Sequence, residues 1–268
     1  MKVVILCGGK GSRLREETEY RPKPMVPIGN RPILWHIMKL YAHHGHRDFI
    51  LCLGYKGSMI RDYFRDYQWQ AGDVTLTLGP DQSVEFHHSH DEKDWKVTLA
   101  DTGEDTMTAG RIKLIEQYIG SDEDFLLTYG DGVGDVDIDA TISFHRRHGK
   151  TLTVTAVHPP GRFGELGLTD DDSVSEFNEK PQAEGGWING GFFVASRRVF
   201  RYLGDCSGIM FEHDPIRRIA ASGELMAFRH NGFWQPMDTF AEFTFLNSLW
   251  AKGGAPWAVW AKRGRAEA

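Results

Sequence analysis

Residues 6–13 read Leu-Cys-Gly-Gly-Lys-Gly-Ser-Arg and follow the short apolar run Val-Val-Ile of residues 3–5. An apolar run that breaks into glycines predicts a buried strand that opens into a tight turn. Glycine has no Cβ, so the backbone of such a turn can approach a bulky anion closely. Successive N–H groups can then face the anion, and Lys10 and Arg13 add positive charge. The sequence therefore predicts a phosphate-binding loop directly after the first strand.

A second cation follows on a stiff, proline-bracketed segment, Pro22-Lys23-Pro24-Met25-Val26-Pro27. Two commoner glycine motifs do not match the loop. A Walker A loop requires G-x-x-x-x-G-K-[ST], and a dinucleotide fingerprint requires G-x-G-x-x-G with an acidic residue about 20 residues further on. The glycines alone leave a plain strand-to-helix turn as an alternative. Arg13 and Lys23 favour a site for the triphosphate of a nucleotide.

Composition narrows the class of protein. The 268 residues form one large domain or two small ones, and 41% hydrophobic with 25% charged residues is ordinary for a globular protein. The net charge of −6 disfavours nucleic acid as a partner. We find no apolar stretch long enough to span a membrane and no cleavable signal, so we predict no membrane partner. Three widely spaced cysteines favour reduced thiols and a cytoplasmic location.

Apolar runs and helical periodicities alternate along the chain, which predicts an α/β fold with a mostly parallel sheet covered on both faces. In such folds ligands collect at the carboxyl ends of the strands, where both Gly8–Arg13 and Tyr129–Gly132 fall. The predicted strands are residues 1–6, 48–53, 74–78, 124–128, 152–157, 174–177, 191–194 and 225–230. The predicted helices are residues 32–45, 56–67, 112–119, 139–148, 215–222 and 240–252.

Two isolated aspartates are candidate metal ligands. Asp131 lies between two glycines after the buried run 124–128, and Asp238 lies in the aromatic stretch 233–239, Phe-Trp-Gln-Pro-Met-Asp-Thr. Carboxylate oxygens suit Mg²⁺, which usually takes one or two protein carboxylates together with phosphates. An Asx turn at Asp131 and a helix N-cap at Asp238 are the alternatives.

Three further segments carry polar groups whose roles the residues alone leave open. Glu179-Lys180 before a proline could line a pocket or form a solvated surface pair. Asn189-Gly190-Gly191 could be a hairpin turn or could bring the backbone near a ligand. Arg111 is a cation at a predicted helix start. The spacing of His87-His88-Ser89-His90 matches no strong zinc pattern, and its role stays open.

Taken together, these motifs resemble the signature of the sugar-1-phosphate nucleotidyltransferases. The glycine loop and the Lys23 segment carry the resemblance first. The other matches are Pro32-Ile-Leu-Trp-His-Ile-Met, Gly54-Tyr-Lys-Gly, Thr128-Tyr-Gly-Asp-Gly-Val, Pro159-Pro-Gly-Arg-Phe-Gly, Glu179-Lys-Pro, Ile188-Asn-Gly-Gly-Phe-Phe-Val and Gly232-Phe-Trp-Gln-Pro-Met-Asp-Thr. The resemblance covers nearly the whole chain and is closest to the cytidylyl-transferring subgroup.

The resemblance implies a Rossmann-like mixed, mainly parallel sheet flanked by helices, with a smaller sugar-binding lobe. It implies one domain over residues 1–268, with a nucleotide-binding part of about 1–135 and a sugar-binding and closing part of about 136–268. The implied reaction is transfer of a cytidylyl group from CTP to α-D-glucose 1-phosphate, giving CDP-glucose and pyrophosphate for pathways such as O-antigen synthesis. Mg²⁺ is the implied cofactor and a homo-oligomer the implied assembly.

The resemblance also implies a role for each matching residue. Lys23, Arg13 and Asp131 are the implied catalytic residues, and Asp131 and Asp238 the implied metal ligands. The implied nucleotide-binding residues are Leu6, Gly8, Gly9, Gly11, Ser12, Arg13, Lys23, Arg111 and Gly130. The implied sugar-phosphate-binding residues are Glu179, Lys180, Asn189 and Gly190.

The chain also departs from the family pattern. Cys7 stands where the family usually has alanine, and residues 208–215 replace a stretch in which tryptophan and acidic residues are expected. Another nucleoside triphosphate or another phosphorylated sugar is therefore an alternative. A regulatory subunit that keeps the fold without activity is a third hypothesis, disfavoured because Lys23, Asp131 and Asp238 are all present.

Overall fold

A computed structural model describes residues 1–87, 90–159, 165–168, 174–178, 186–204 and 207–262, with backbone alone for 165–168, 174–178 and 262. In chain order its strands are β1 Lys2–Leu6, β2 Pro27–Ile28, β3 Arg31–Pro32, β4 Asp48–Leu53, β5 Val74–Thr77, β6 Ser83–Phe86, β7 Lys96–Asp101, β8 Asp124–Tyr129, β9 Gly132–Gly134, β10 Leu152–Val157, β11 Glu165–Leu168, β12 Val174–Asn178, β13 Ile188–Ser196, β14 Leu225–His230 and β15 Trp234–Pro236.

The α-helices fall between these strands, mostly as connections from one strand to the next. They are α1 Arg15–Thr18, α2 Ile33–His43, α3 Gly57–Arg65, α4 Tyr67–Ala71, α5 Thr108–Leu114, α6 Glu116–Ile119, α7 Ile138–His148, α8 Asp214–Ala221, α9 Phe240–Ala251 and α10 Val259–Lys262. Two 3₁₀ helices cover Lys23–Met25 and Arg197–Tyr202. None of the helices in the described parts of the chain is both long and apolar enough to cross a bilayer.

Seven strands form the central sheet in the order β14-β10-β13-β8-β1-β4-β7. Every neighbouring pair is parallel except those that involve β13, which runs antiparallel to both β10 and β8. The predicted mixed, mainly parallel sheet flanked by helices is therefore confirmed. The other strands form two-stranded ladders, β2 with β3, β5 with β6, β9 with β15 and β11 with β12.

Alternate side chains of β1 enter two separate cores. Val3 and Ile5 pack into the core that contains α2, while Val4 and Leu6 pack into the core that contains α5. A strand with both faces buried reads as a continuous apolar run, and this is why the sequence of β1 shows no alternation. The sheet is thereby fixed from both sides, and the loops at its carboxyl edge start from rigid positions.

Several of the observed elements differ from the prediction. The edge strand β7 was missed because its sequence, Lys-Val-Thr-Leu-Ala-Asp, is only partly apolar and contains no long apolar run. The predicted strand 74–78 is β5, which pairs with β6 in a hairpin outside the central sheet. The predicted helix 112–119 is two short helices, and α5 begins at Thr108, so that Arg111 lies within the helix. The division of the domain near residue 135 stays a prediction.

Candidate active site

The glycine loop leaves β1 between the ends of β4 and β8. The Gly130 N–H donates to the Leu6 carbonyl at 3.1 Å, and the Tyr55 N–H donates to the Gly8 carbonyl at 3.2 Å. A Cβ at position 130 would lie 3.0 Å from that same Leu6 oxygen, so glycine favours the close approach. Gly11 has φ +62°, a conformation that favours glycine. The loop therefore has a fixed path, with Gly9, Lys10 and Ser12 at its accessible side.

Arg111 lies beneath this loop and fixes it from inside the protein. Its guanidinium donates to the carbonyls of Gly8 (3.1 Å), Leu53 (3.0 Å) and Gly103 (2.8 Å), and the residue is only 4% exposed. A Cβ at position 8 or 54 would overlap this guanidinium. Burial lowers the pKa of Arg111, and the charges around it do not restore the usual value. The structure thus makes Arg111 a residue that positions the loop, and its predicted contact with the nucleotide stays a prediction.

Lys23 brings its ammonium to two carboxylates from distant parts of the chain. Pro22 and Pro24 fix the start of the 3₁₀ helix that carries it. Its Nζ lies 2.6 Å from Asp131 Oδ2 and also contacts Asp238, while only 9% of the side chain is exposed. Burial disfavours the charged lysine, but the two carboxylates outweigh burial, and the pKa of Lys23 is raised above its usual value. Lys23 therefore remains an ammonium at neutral pH.

A short antiparallel ladder brings the two aspartates together. β9 pairs with β15 so that Gly132 faces Pro236, and the Met237 N–H donates to the Asp131 carbonyl at 2.8 Å. Asp131 is the residue before β9, and Asp238 follows the ladder on the other strand. The N-cap of α9 is Thr239, which forms a capping box with Glu242, so the N-cap alternative for Asp238 is wrong.

Arg13 completes the charge balance of the site. Its guanidinium lies 2.9 Å from Asp238 Oδ2, and 71% of the side chain is exposed. Two carboxylates thus face two cations, of which Lys23 is buried and Arg13 reaches solvent. Hard carboxylate oxygens that already converge on a cation are the donor type that a divalent metal ion prefers, and phosphate oxygens can supply the remaining ligands. The residues present therefore fit a divalent cation that arrives with a nucleotide.

Asn189, Gly190 and Gly191 lie within β13 and do not form a hairpin turn. The pairing of β13 with β10 is irregular here, with Phe193 opposite Val154 and Asn189 opposite Ala156. Gly191 has φ +78°, and its N–H donates to Asn189 Oδ1 at 2.8 Å. The bulge turns this stretch toward the carboxyl end of β8. Glu179 and Lys180, predicted to bind the sugar phosphate, lie outside the described residues, as do residues 160–164 and 88–89.

Four residues that the sequence did not single out connect these parts. Trp234 Nε1 donates to the Gly190 carbonyl at 2.7 Å, which ties β15 to the bulge. Tyr129, the last residue of β8, contacts Glu212, whose other carboxylate oxygen accepts from Thr108 at 2.9 Å. Tyr129 and Trp234 lie within two of the motifs that carry the family resemblance, but the resemblance assigns roles there only to the glycines and aspartates. Glu212 lies in residues 208–215, which depart from the family pattern. That departure is the only feature of the sequence that marks this residue as unusual.

Clustered cations and two paired carboxylates lie at the carboxyl ends of the parallel strands, an arrangement that suits the binding of phosphate groups. Comparison with known proteins gives the class of protein. The family model described as "Nucleotidyl transferase" matches residues 2–247. The chain therefore belongs to the nucleotidyl transferase family.

Individual members of that family resemble this chain more closely than the family model alone shows. The glucose-1-phosphate cytidylyltransferase of Salmonella typhi is 52% identical over 97% of this chain and 100% of its own length. A protein of Bacillus subtilis strain 168, described as a probable glucose-1-phosphate cytidylyltransferase, is 46% identical over 97% of this chain and 100% of its own length. The crystal structure of HddC from Yersinia pseudotuberculosis matches with a TM-score of 0.68 over 93% of this chain and 99% of that chain. At 24% identity, HddC supports the fold alone.

Proposed function

We propose that this protein transfers a cytidylyl group from CTP to α-D-glucose 1-phosphate and releases CDP-glucose and pyrophosphate. The observation that carries the proposal is the meeting of Lys23, Arg13, Asp131 and Asp238 beside the glycine loop, in a chain 52% identical to a glucose-1-phosphate cytidylyltransferase. The protein is an enzyme of sugar nucleotide biosynthesis. The O-antigen setting that the resemblance implies stays a prediction.

The main obstacle to this reaction is repulsion between two polyanions. Two like unit charges about 4 Å apart repel by roughly 4 kcal/mol at an effective dielectric near 20. Lys23 is buried and protonated, so it can offset this repulsion at the reacting phosphates without losing its charge. Arg13 is exposed and can follow the nucleotide as it binds. The attacking phosphate oxygen is already ionised at neutral pH, so catalysis depends on positioning and electrostatics.

The backbone of the glycine loop supplies the phosphate contacts. Gly8, Gly9 and Gly11 present N–H groups with no side chain that would block an anion, and Ser12 adds its own N–H and a small hydroxyl side chain. Leu6 and Gly130 hold the two strand ends together beneath them. Arg111 fixes the Gly8 carbonyl, so its contribution to nucleotide binding includes the shape of the loop.

Mg²⁺ is the proposed cofactor, with Asp131 and Asp238 as its protein ligands. When bound, it would polarise phosphate oxygens and neutralise developing negative charge. Lys23 holds these two carboxylates in place by ion pairs before any ligand binds.

The acceptor substrate is proposed to bind beside the bulge of β13. Asn189 and Gly190 belong to this bulge. The proposed sugar-phosphate contacts of Glu179 and Lys180 rest on the family resemblance. Cys7 and Cys52 are free thiols buried in the two cores, which supports the proposed cytoplasmic location. We also propose a homo-oligomer. The hairpin β5–β6 supports it, because Leu76, Leu78 and Val84 are large apolar residues left exposed there.

A pyrophosphate-release assay tests substrate and class together. Four nucleoside triphosphates are each combined with a panel of sugar 1-phosphates in the presence of Mg²⁺. We expect the highest kcat/KM for CTP with glucose 1-phosphate. A better pair would assign the alternative substrates, and absence of release from all pairs would favour the regulatory subunit.

A further inference from the structure

A hydrogen-bond network connects Glu212 to Asn189 across the site. Glu212 accepts from Thr108 Oγ1 at 2.9 Å with one carboxylate oxygen and contacts the Tyr129 hydroxyl with the other. The Tyr129 hydroxyl lies 3.4 Å from Asn189 Nδ2, and Asn189 Oδ1 accepts from the Gly191 N–H at 2.8 Å. The established chemistry of the reacting phosphates uses none of these contacts.

The chemistry of the donors fixes the direction of every bond in this network. A carboxylate only accepts, so the Tyr129 hydroxyl must donate the hydrogen bond to Glu212. The Tyr129 oxygen is then left as an acceptor, and it faces the amide nitrogen of Asn189. A backbone N–H only donates, so the Gly191 contact assigns the other end of the amide as oxygen.

Packing prevents the network from relaxing. A Cβ at position 191 would lie 2.5 Å from Tyr129 Cδ2, so the ring rests directly on the backbone of the bulge. The Phe211 N–H donates to Thr108 Oγ1 at 2.7 Å, which holds the Glu212 segment against the start of α5. Trp234 holds the Gly190 carbonyl from the other side. Asn189 therefore keeps one amide orientation, in which one N–H faces Tyr129 and the second N–H is available to another acceptor.

We propose that Glu212 is a positioning residue for the acceptor substrate. By accepting the hydrogen bond from the Tyr129 hydroxyl, it orients Asn189 so that the amide nitrogen donates to an oxygen of the sugar 1-phosphate. The proposal rests on the proposed function, because Asn189 is placed beside the sugar phosphate there.

The test compares Glu212→Gln with Tyr129→Phe in steady-state kinetics. A glutamine amide can donate to Tyr129, so the direction of the network is no longer fixed. We expect the KM for glucose 1-phosphate to rise about tenfold or more in both variants, while the KM for CTP and the melting temperature stay near the wild-type values. Glu116→Gln, which removes a surface ion pair with Lys113, is the matched control and should change neither KM.

A double variant separates positioning from general damage. If Glu212 acts through Asn189, then Glu212→Gln combined with Asn189→Ala should lose no more affinity for glucose 1-phosphate than Asn189→Ala alone. Losses that add in full, an equal rise in the KM for CTP, or an unchanged KM for glucose 1-phosphate would each overturn the inference. A wild-type protein that is inactive with every substrate pair would overturn the proposed function and this inference together.

Discussion

The Lys23 ammonium lies between two acidic side chains, so it neutralises part of their charge and also sets the distance between them. Its ammonium contacts Asp131 and Asp238 at once, and Arg13 takes the second oxygen of Asp238. The sequence indicated that each of these residues could meet phosphate or metal. It could not indicate that Lys23 and the two aspartates already contact one another in the protein alone, because contacts across more than 100 residues depend on the sheet order.

Replacement of Lys23 by alanine should separate its proposed catalytic role from its structural one. We expect turnover to fall ~100- to 1,000-fold, as on loss of one preorganised electrostatic partner. Mn²⁺, used as a spectroscopic probe without nucleotide, should bind more tightly to the variant, since the competing ammonium is gone. Electron paramagnetic resonance titration measures this binding. Lys96→Ala, on an exposed lysine of β7, is the control. Near-normal turnover of Lys23→Ala would contradict the catalytic role.

Two neighbouring glycines provide a matched pair for testing the loop. A Cβ at position 8 would overlap the Arg111 guanidinium, whereas a Cβ at position 9 meets nothing within 4 Å. We expect Gly8→Ala to lower the free energy of unfolding by about 1–3 kcal/mol, as overpacking does, and to raise the KM for CTP. Gly9→Ala should leave the free energy of unfolding nearly unchanged. Urea unfolding and initial rates check both, and equal stability of the two variants would exclude Arg111 as the support of the loop.

The ladder of β9 with β15 is the element that decides whether the two aspartates meet. Its far end is closed by Asp135, whose carboxylate lies 3.1 Å from His230 Nε2. The Asp135 N–H also donates to the Phe233 carbonyl at 3.1 Å. The sequence predicted neither strand, because three residues with glycine or proline carry no periodicity and pair only in the folded protein.

Asp135→Asn should loosen this ladder without changing the proposed metal ligands, Asp131 and Asp238. We expect several-fold weaker Mn²⁺ binding and a higher Mg²⁺ requirement for turnover, because the register that aligns Asp131 with Met237 is less well held. Asp139→Asn, at an exposed aspartate of α7, is the control. Unchanged Mn²⁺ affinity in Asp135→Asn would mean that the short ladder alone is sufficient.

The order of elements was predictable in most of the chain, and the exceptions have physical causes. Buried strands such as β1, β4 and β8 can be predicted because each is an apolar run bounded by turn signals. The edge strand β7 does not, because only part of it is buried. The antiparallel direction of β13 could not be read from its residues, since an apolar run in a strand fits either direction.

Across the whole molecule, the C-terminal segment closes the core around a buried histidine. His36 lies in α2 and is fully buried. Its Nε2 lies 3.0 Å from the Ile28 carbonyl, and its Nδ1 accepts from Trp257 Nε1 at 3.3 Å. Trp250 and Trp260 pack against the same ring. Both ring nitrogens are satisfied only in the neutral imidazole, since protonation would set one N–H against another. The sequence predicted a closing helix but not this partner, which lies more than 200 residues away.

Acid should therefore destabilise the protein in a defined range. Burial lowers the pKa of His36 to about 4, below the value of ~6.5 in an unfolded chain. The unfolded state then binds more protons between these values, so the free energy of unfolding falls as the pH drops from about 6.5 to 4. At pH 5 the loss from His36 is about 2 kcal/mol.

The measurement compares wild type with His36→Gln, which keeps a donor and an acceptor but does not titrate. Urea unfolding at pH 7 and pH 5 should show a smaller loss of stability in the variant, by about 2 kcal/mol. His46 and His145, whose pKa values burial also lowers to about 4, leave a residual acid sensitivity in both proteins. An identical loss in both proteins would exclude His36 as a source.

The ammonium between the paired aspartates has a consequence for the stability of the protein when the proposed metal ion is removed. Many metalloproteins unfold in chelator, because metal binding supplies part of their folding free energy. Here an internal counter-ion already keeps the acidic pair in register. Excess EDTA should therefore abolish turnover yet leave the melting temperature unchanged, and added Mg²⁺ should restore full activity without a refolding lag. The site then keeps its geometry without the metal ion and can bind a nucleotide together with its ion without refolding.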